Sequence, residues 1–233
     1  MRIFVAGAAG AIGRQLVPML VASGHEVTGT TRSEERAAWL RDAGATPVIV
    51  DALDPEAVRA AVVESRPDVV INQLTDLAAG FGNQELVKTG RIRDIGTRHL
   101  VDAALAAGAR RMVAQSGAWL YADGPTPHVE EHPLRTPTDA PRDASLRGIL
   151  VLERLVTGTP DHEGIVLRYG FFYGPHTSWP RRDDAPRPRV SVEAAARATA
   201  LAVQSGPPGI YNVVDDDPQV SNARARDLLG WSP

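Results

Sequence analysis

The chain has 233 residues, 43% of them hydrophobic, and a formal charge of −3, enough for one main core with a small appendage and without the basic balance of a nucleic-acid or acidic-membrane partner. No apolar run reaches the length of a membrane span and the start lacks a signal-peptide pattern, so a soluble cytoplasmic protein is the expectation. The absence of cysteine excludes disulfides and thiolate chemistry, and the six histidines show no ligand spacing, so no metal is expected.

Met1 to Arg32 is the most informative stretch. Arg2 to Ala6 reads as an apolar strand, and Gly7, Gly10 and Gly13 then follow in the spacing G-x-x-G-x-x-G. Ala11 to Ser23 carries Ile12, Leu16, Met19 and Leu20 at helical spacing, and His25 to Thr31 is a second strand. Such a βαβ opening presents free N–H groups at a helix N-terminus, where the dipole favours a phosphate. Glycines at the turn remove the Cβ atoms that would hold a pyrophosphate away or keep helix and strand apart. Gly7, Ala9, Gly10, Ala11, Ile12 and Gly13 are therefore candidates to bind a dinucleotide.

The end of the second strand selects the cofactor. A carboxylate there would bind a ribose 2′-hydroxyl, whereas an arginine would pair with a 2′-phosphate. The chain has Thr30, Thr31, Arg32 and Ser33, with no acid until Glu34 and with Arg36 one turn further on. NADP is favoured over NAD on this ground, with a merely solvated arginine as the alternative.

Strand and helix keep alternating. Ser33 can cap a helix over Glu34 to Ala43, and Thr46 to Val50 is a third strand. Asp54 followed by Pro55 opens a helix to about Ser65, and Asp68 to Asn72 is a fourth strand without polar interruption from Val69 to Ile71. One long helix is expected over Gln84 to Ala107, then a strand over Arg111 to Gln115, a helix over Asp143 to Val156 and a strand over Gly164 to Tyr169. A loop over Trp179 to Arg189, a helix over Ser191 to Gln204, a strand over Ile210 to Val213 and a helix over Asn222 to Leu229 complete the chain. Pro18 should bend the first helix. The pattern predicts an α/β fold, a Rossmann-type doubly wound parallel sheet with helices on both faces. A dinucleotide-binding domain is expected over 1–170, with a small, reduced C-terminal substrate subdomain over 171–233 interleaved with the last sheet elements.

The order of motifs resembles the extended or atypical short-chain dehydrogenase/reductases, the NAD-dependent epimerase/dehydratase group. The likeness runs through GAAGAIG (Gly7 to Gly13), VDALD (Val50 to Asp54), DVVIN (Asp68 to Asn72), Gly96–Thr97, LYA (Leu120 to Ala122) and LRYGFFYGP (Leu167 to Pro175). It ends with VSVEAAARA (Val190 to Ala198) and GIYNVVDD (Gly209 to Asp216). The resemblance implies that Asp51 accepts from the adenine amino group, with Ala52 and Leu53 lining the ring. It implies that Gln73, Leu74 and Thr75 lie along the ribose and pyrophosphate, that Gln115, Ser116 and Gly117 flank the nicotinamide, and that Tyr169 to Phe172 line the far side of the pocket. It also implies a homodimer through the helices Gln84–Ala107 and Asp143–Val156.

The family's chemistry needs a tyrosine as acid/base and a lysine to lower its pKa, because a free phenol titrates near about 10. Registering the helix by Glu153 places Ser145 and Ile149 at those positions, and neither can do the work. No tyrosine lies between Tyr121 and Tyr169 and no lysine follows Lys88. Two catalytic candidates remain, Ser116 and Tyr121. Ser116 is either a substrate contact or a structural serine, and Tyr121 either a proton donor or a core aromatic. His128 and His132 read as surface residues. Arg93 stands where the resemblance expects an asparagine. Phe171 replaces the asparagine that sugar-nucleotide enzymes place near the diphosphate, which favours an apolar or aromatic substrate.

The chain is also short from Gly174 to Val190 and from Asp217 to Asn222, where the family places its substrate-binding subdomain. Either the cap is reduced or part of the natural chain is absent from the sequence; the abrupt run from Asp217 to Asn222 favours the second. Two functions fit: an NADP-dependent oxidoreductase or epimerase-like enzyme on a small organic molecule, or an NADP-binding redox sensor or regulatory partner without turnover.

Overall fold

Strand β1 (Arg2–Ala6) is apolar on both faces, with Ile3, Phe4 and Val5 at most 1% exposed, and so belongs at the centre of a covered parallel sheet. The computed structural model, which describes residues 1–77 and 80–233, places it there. Around it run β2 (Glu26–Thr31), β3 (Thr46–Ile49), β4 (Val69–Asn72), β5 (Arg111–Gly117), β6 (Glu163–Tyr169) and β9 (Gly209–Val213). The order is β3-β2-β1-β4-β5-β6-β9, parallel throughout.

Alternation along β1 sorts the core into two layers. Ile3 and Val5 pack with α1 (Ala11–Ala22), Leu40 of α2 (Glu34–Asp42) and α7 (Val192–Gln204). Phe4 and Ala6 pack on the other face with α3 (Pro55–Ser65), α5 (Thr97–Ala107) and α6 (Ala144–Gly158). α1 continues through Pro18, which lies on its exposed side. The expected caps form: Ser33 accepts from Arg36 N, and Asp54 accepts from both Glu56 N and Ala57 N. Among the described residues no helix is long and apolar enough to cross a membrane.

The helical stretch expected over Gln84 to Ala107 forms without a break from Asn83, as α4 (Asn83–Arg91), a π-helical turn (Ile92–Gly96) and α5. Asn72, at the end of β4, donates to Thr97 Oγ1 at 3.0 Å and ties down the first residue after that turn. The stretch after Gly170 also holds a short parallel pair, β7 (Phe171–Tyr173) and β8 (Arg189–Ser191), at the end of the stretch expected as a loop. Both strands are too short for a period to show. Beyond residue 170 the chain supplies α7 and β9 to the main layers and ends on α8 (Ala223–Leu229).

Candidate functional site

The order of strands reverses between β1 and β4, and the loops at their C-terminal ends enclose a cleft, as open α/β sheets do at such a point. Gly7 has φ +82°, and a Cβ there would stand 2.7 Å from Gln73 O; on Gly13 it would stand 2.1 Å from Ala8 O. Only glycine fits either position. Gly10 caps α1 without any side-chain bond, and the helix ladder begins with Arg14 N donating to Gly10 O at 2.9 Å. The N–H groups of Ala11, Ile12 and Gly13 are thus left for a ligand.

The cleft has two joined parts. One, of about 770 Å³, is lined by Ala9, Thr31, Arg36, Asp51, Ala52 and Leu74. The other, of about 1510 Å³, is lined by Ala11, Ile12, Gly13, Gln115, Ser116 and Tyr169. Gly7, Gly10, Arg32, Arg36, Gln73 and Thr75 line both. The structure thus brings together the cofactor and catalytic candidates of the sequence except Leu53, Gly117 and Tyr121, which line neither part. Leu53 instead donates its N–H to Asp51 Oδ1 at 3.0 Å. Gln73 is 6% exposed, and its amide makes no hydrogen bond of good geometry within the protein, although the Tyr169 hydroxyl lies near enough to feel it. A buried amide so weakly satisfied beside the glycine turn has bonding capacity to spare for a ligand.

Arg32 is not free in this cleft. Its Nη2 lies 3.2 Å from Asp76 Oδ1, and the arginine side chain is 58% exposed. Tyr169 gives a neutral wall: its hydroxyl meets Thr199 Oγ1 at 2.7 Å, and burial pushes its pKa up to about 12.

The two catalytic candidates belong to one buried network. Ser116 Oγ donates to Glu153 Oε1 at 2.5 Å, and Arg168 pairs with the same carboxylate through Nε at 2.9 Å and Nη2 at 2.7 Å. Arg168 Nη1 also donates to the Tyr121 oxygen at 3.0 Å, and Tyr121 donates to Asn212 Oδ1 at 2.7 Å. Burial raises the Tyr121 pKa. Ser116 is thus bonded to a side chain rather than to backbone while still lining the cleft. Tyr121 lies outside the lining of the cleft, with its hydroxyl bonded to Arg168 and Asn212.

Two arrangements are not legible in the sequence, although it marks one residue of each, Phe171 and Arg93. Trp119 stacks on Phe171 with centroids 5.5 Å apart, Phe171 meets the edge of Trp179 at 5.6 Å, and Trp179 stacks on Phe81 at 5.3 Å. These rings wall the end of the cleft that holds Gln115 and Ser116, and an adjoining apolar hollow. Phe171 was singled out, but its partners lie far apart in the chain, so no local pattern announces the slot. The second centres on Arg93, buried on the π-helical turn and bonded through Nη1 to Ser145 Oγ at 2.5 Å.

Comparison with known proteins agrees with this architecture. A Streptomyces protein, 3-diazoavenalumate denitrifying reductase, is 41% identical over 94% of this chain and 77% of its own length. The dTDP-4-dehydrorhamnose reductase of Streptomyces griseus is 28% identical over the whole chain and 77% of its own. Among solved structures, the UDP-glucose 4-epimerase of Thermotoga maritima superposes with a TM-score of 0.80 at 18% identity, covering 100% of this chain and 94% of that one, which speaks for the fold. The family model described as NAD dependent epimerase/dehydratase family matches residues 3–190, and with the 41% relative it shows that the chain belongs to that family.

Proposed function

We propose that the protein is an NADP(H)-dependent reductase of a small aromatic substrate, working without a tyrosine–lysine proton relay. The observation that carries this reading is the continuous cleft from Asp51, across the glycine turn, to the rings of Trp119, Phe171 and Trp179. The N–H groups of Ala11, Ile12 and Gly13 would hold the pyrophosphate, and Asp51 and Ala52 the adenine end. Arg32 and Arg36 are placed for a 2′-phosphate, and Gln73 and Thr75 for the bridging ribose. The bound reduced nicotinamide would supply a hydride. Gln115, Tyr169 and the aromatic wall then orient the acceptor ring and keep water out.

The absence of a tyrosine–lysine pair on α6 restricts the acceptor, since the imidazole of His176, which lines the cleft, is exposed to water. Reduction of a ketone leaves an alkoxide that needs a proton, and nothing on α6 can give one, since it holds neither tyrosine nor lysine. Reduction of an aryl diazonium group needs none: the new C–H bond forms, the C–N electron pair leaves with N2, and both products are neutral at the reacting atoms. The 41% identical relative is named for the denitrifying reduction of a diazo compound. Phe171, at the position where nucleotide-sugar enzymes of this kind carry an asparagine, favours a ring over a sugar diphosphate.

NADPH consumption with a panel of aryl diazonium salts, aldehydes, ketones and enones tests the reading. Turnover is expected with the diazonium salts, and Tyr121→Phe should keep it. The locking of Ser116 and Tyr121 in the Glu153–Arg168 network favours a second reading, a dinucleotide-binding sensor or regulatory partner. Tight binding without turnover across the panel would select it. A folded protein that binds neither oxidised nor reduced nicotinamide nucleotides would overturn both.

A further inference from the structure

Arg93 carries a buried charge that the protein does not neutralise. It is 3% exposed, its Nη1 is spent on Ser145 Oγ, and its Nε is buried with no partner. Among the described residues no carboxylate offsets its burial, whereas the equally buried Arg168 has Glu153. Desolvation alone lowers the Arg93 pKa to about 10, which leaves the guanidinium protonated at neutral pH. An isolated buried cation is among the costliest arrangements a protein can hold, so a counter-charge must be sought outside the chain.

The surroundings hold Arg93 in place. A Cβ on Gly90 would stand 2.3 Å from Ala144 O, and one on Gly148 would stand 2.4 Å from Gly90 O and 3.0 Å from the Arg93 Cβ. These two glycines let α4 and α6 touch backbone to backbone, and the π-helical turn one residue after α4 sets the arginine against Ser145. Turns of this kind recur at functional sites because they re-aim a side chain. Arg93 lines the cleft beside Ser116, Trp119 and Phe171. Ser145 opens on the adjoining hollow with Phe81, Trp119, Phe171 and Trp179, and the exposed Arg142 lines the same hollow.

We propose that Arg93 is the receptor for the carboxylate of an aryl carboxylate, whose ring lies in the slot of Trp119, Phe171 and Trp179. The planar guanidinium matches a carboxylate, and the rings match the arene. The proposal rests on the cleft being a reductase site, and it names the substrate class of that site.

The test is quenching of intrinsic tryptophan fluorescence, since Trp119 and Trp179 face the slot. Wild-type protein saturated with NADP+ is titrated with cinnamate and with cinnamamide, which differ in charge and little in shape. Cinnamate should bind roughly tenfold or more tightly, the difference a buried charge-assisted pair makes. Arg93→Gln should erase that preference while NADP+ affinity stays within about twofold of wild type. Equal binding of acid and amide by the wild type would overturn the proposal, and needs no variant to fold. Loss of NADP+ affinity in Arg93→Gln as large as the loss of cinnamate would also overturn it, assigning Arg93 to the cofactor. If wild-type protein binds no NADP+, the reductase reading fails; the acid-over-amide preference, measured on the protein alone, then judges Arg93 separately.

Discussion

Ser116 Oγ lies 2.5 Å from Oε1 of Glu153, on a carboxylate that already takes two bonds from Arg168. The serine proton is committed to the wall of the cleft, and the hydroxyl braces an ion pair beneath it. Ser116→Ala should therefore cost about 1–3 kcal/mol of stability and change turnover only a few-fold. Glu153→Ala strands the Arg168 guanidinium in the interior and should cost about 3–5 kcal/mol. Urea denaturation of the two variants ranks them; a larger loss for the serine would contradict the network.

Gly13 tests the turn itself. A Cβ there would meet the carbonyl of Ala8 at 2.1 Å, and a backbone atom cannot swing aside as a flexible side chain can. Gly13→Ala should push α1 off β1, lose about 1–3 kcal/mol, and abolish NADP+ binding in calorimetry. Gly158, near the end of α6, has open space around its Cβ position, so Gly158→Ala should leave both properties intact.

Much of this was legible in the sequence because it is local. The apolar run of β1, the cap at Asp54 and the glycine spacing each lie within a few residues, and each predicted its element. The rest depends on contacts between distant positions. Ser116 meets Glu153 across 37 residues and Tyr121 meets Asn212 across 91, so nothing near either residue reveals that its hydroxyl is taken. Arg93 read as a departure from a family pattern; its role emerges only once Gly90 and Gly148 bring two helices into backbone contact. The π-helical turn inside the helix of Gln84 to Ala107 stayed hidden for a related reason, since the composition is helical throughout and the wider turn does not change residue preferences.

On the proposed NADP reading, cofactor preference depends on Asp76. It holds Arg32 at 3.2 Å, close to where a 2′-phosphate would sit, and its negative charge would repel that phosphate. Arg32→Ala should weaken NADPH binding about tenfold with little change for NADH, the usual scale for one charge-assisted contact. Asp76→Asn should act in the opposite sense, releasing Arg32 and tightening NADPH alone. Parallel titrations with both nucleotides decide; an Arg32→Ala variant that loses both equally would remove the basis for an NADP preference.

Asp143 links the acid stability of the protein to the Arg93 site. Its carboxylate is buried just before α6, accepting from Thr138 Oγ1 at 2.7 Å, Thr138 N at 2.8 Å and Arg135 Nη1 at 2.9 Å. The bonds from Thr138, and then the Arg135 charge, hold its pKa well below the ordinary 3.8. A carboxyl depressed in the folded state binds fewer protons there than in the unfolded chain, so its stabilisation is present above the unfolded value. It is lost as pH falls through about 4 toward the folded value. Asp143→Asn should thus be less stable than wild type at neutral pH, with the gap closing between about pH 4 and pH 2 in denaturant midpoints taken across that range. Because Ser145 follows directly on α6, the variant should also weaken cinnamate binding at neutral pH while NADP+ binding, seated on α1, holds. A gap that stays constant down to pH 2 would mean that Asp143 titrates alike in both states, and the Thr138 bonds would then not explain how α6 is anchored.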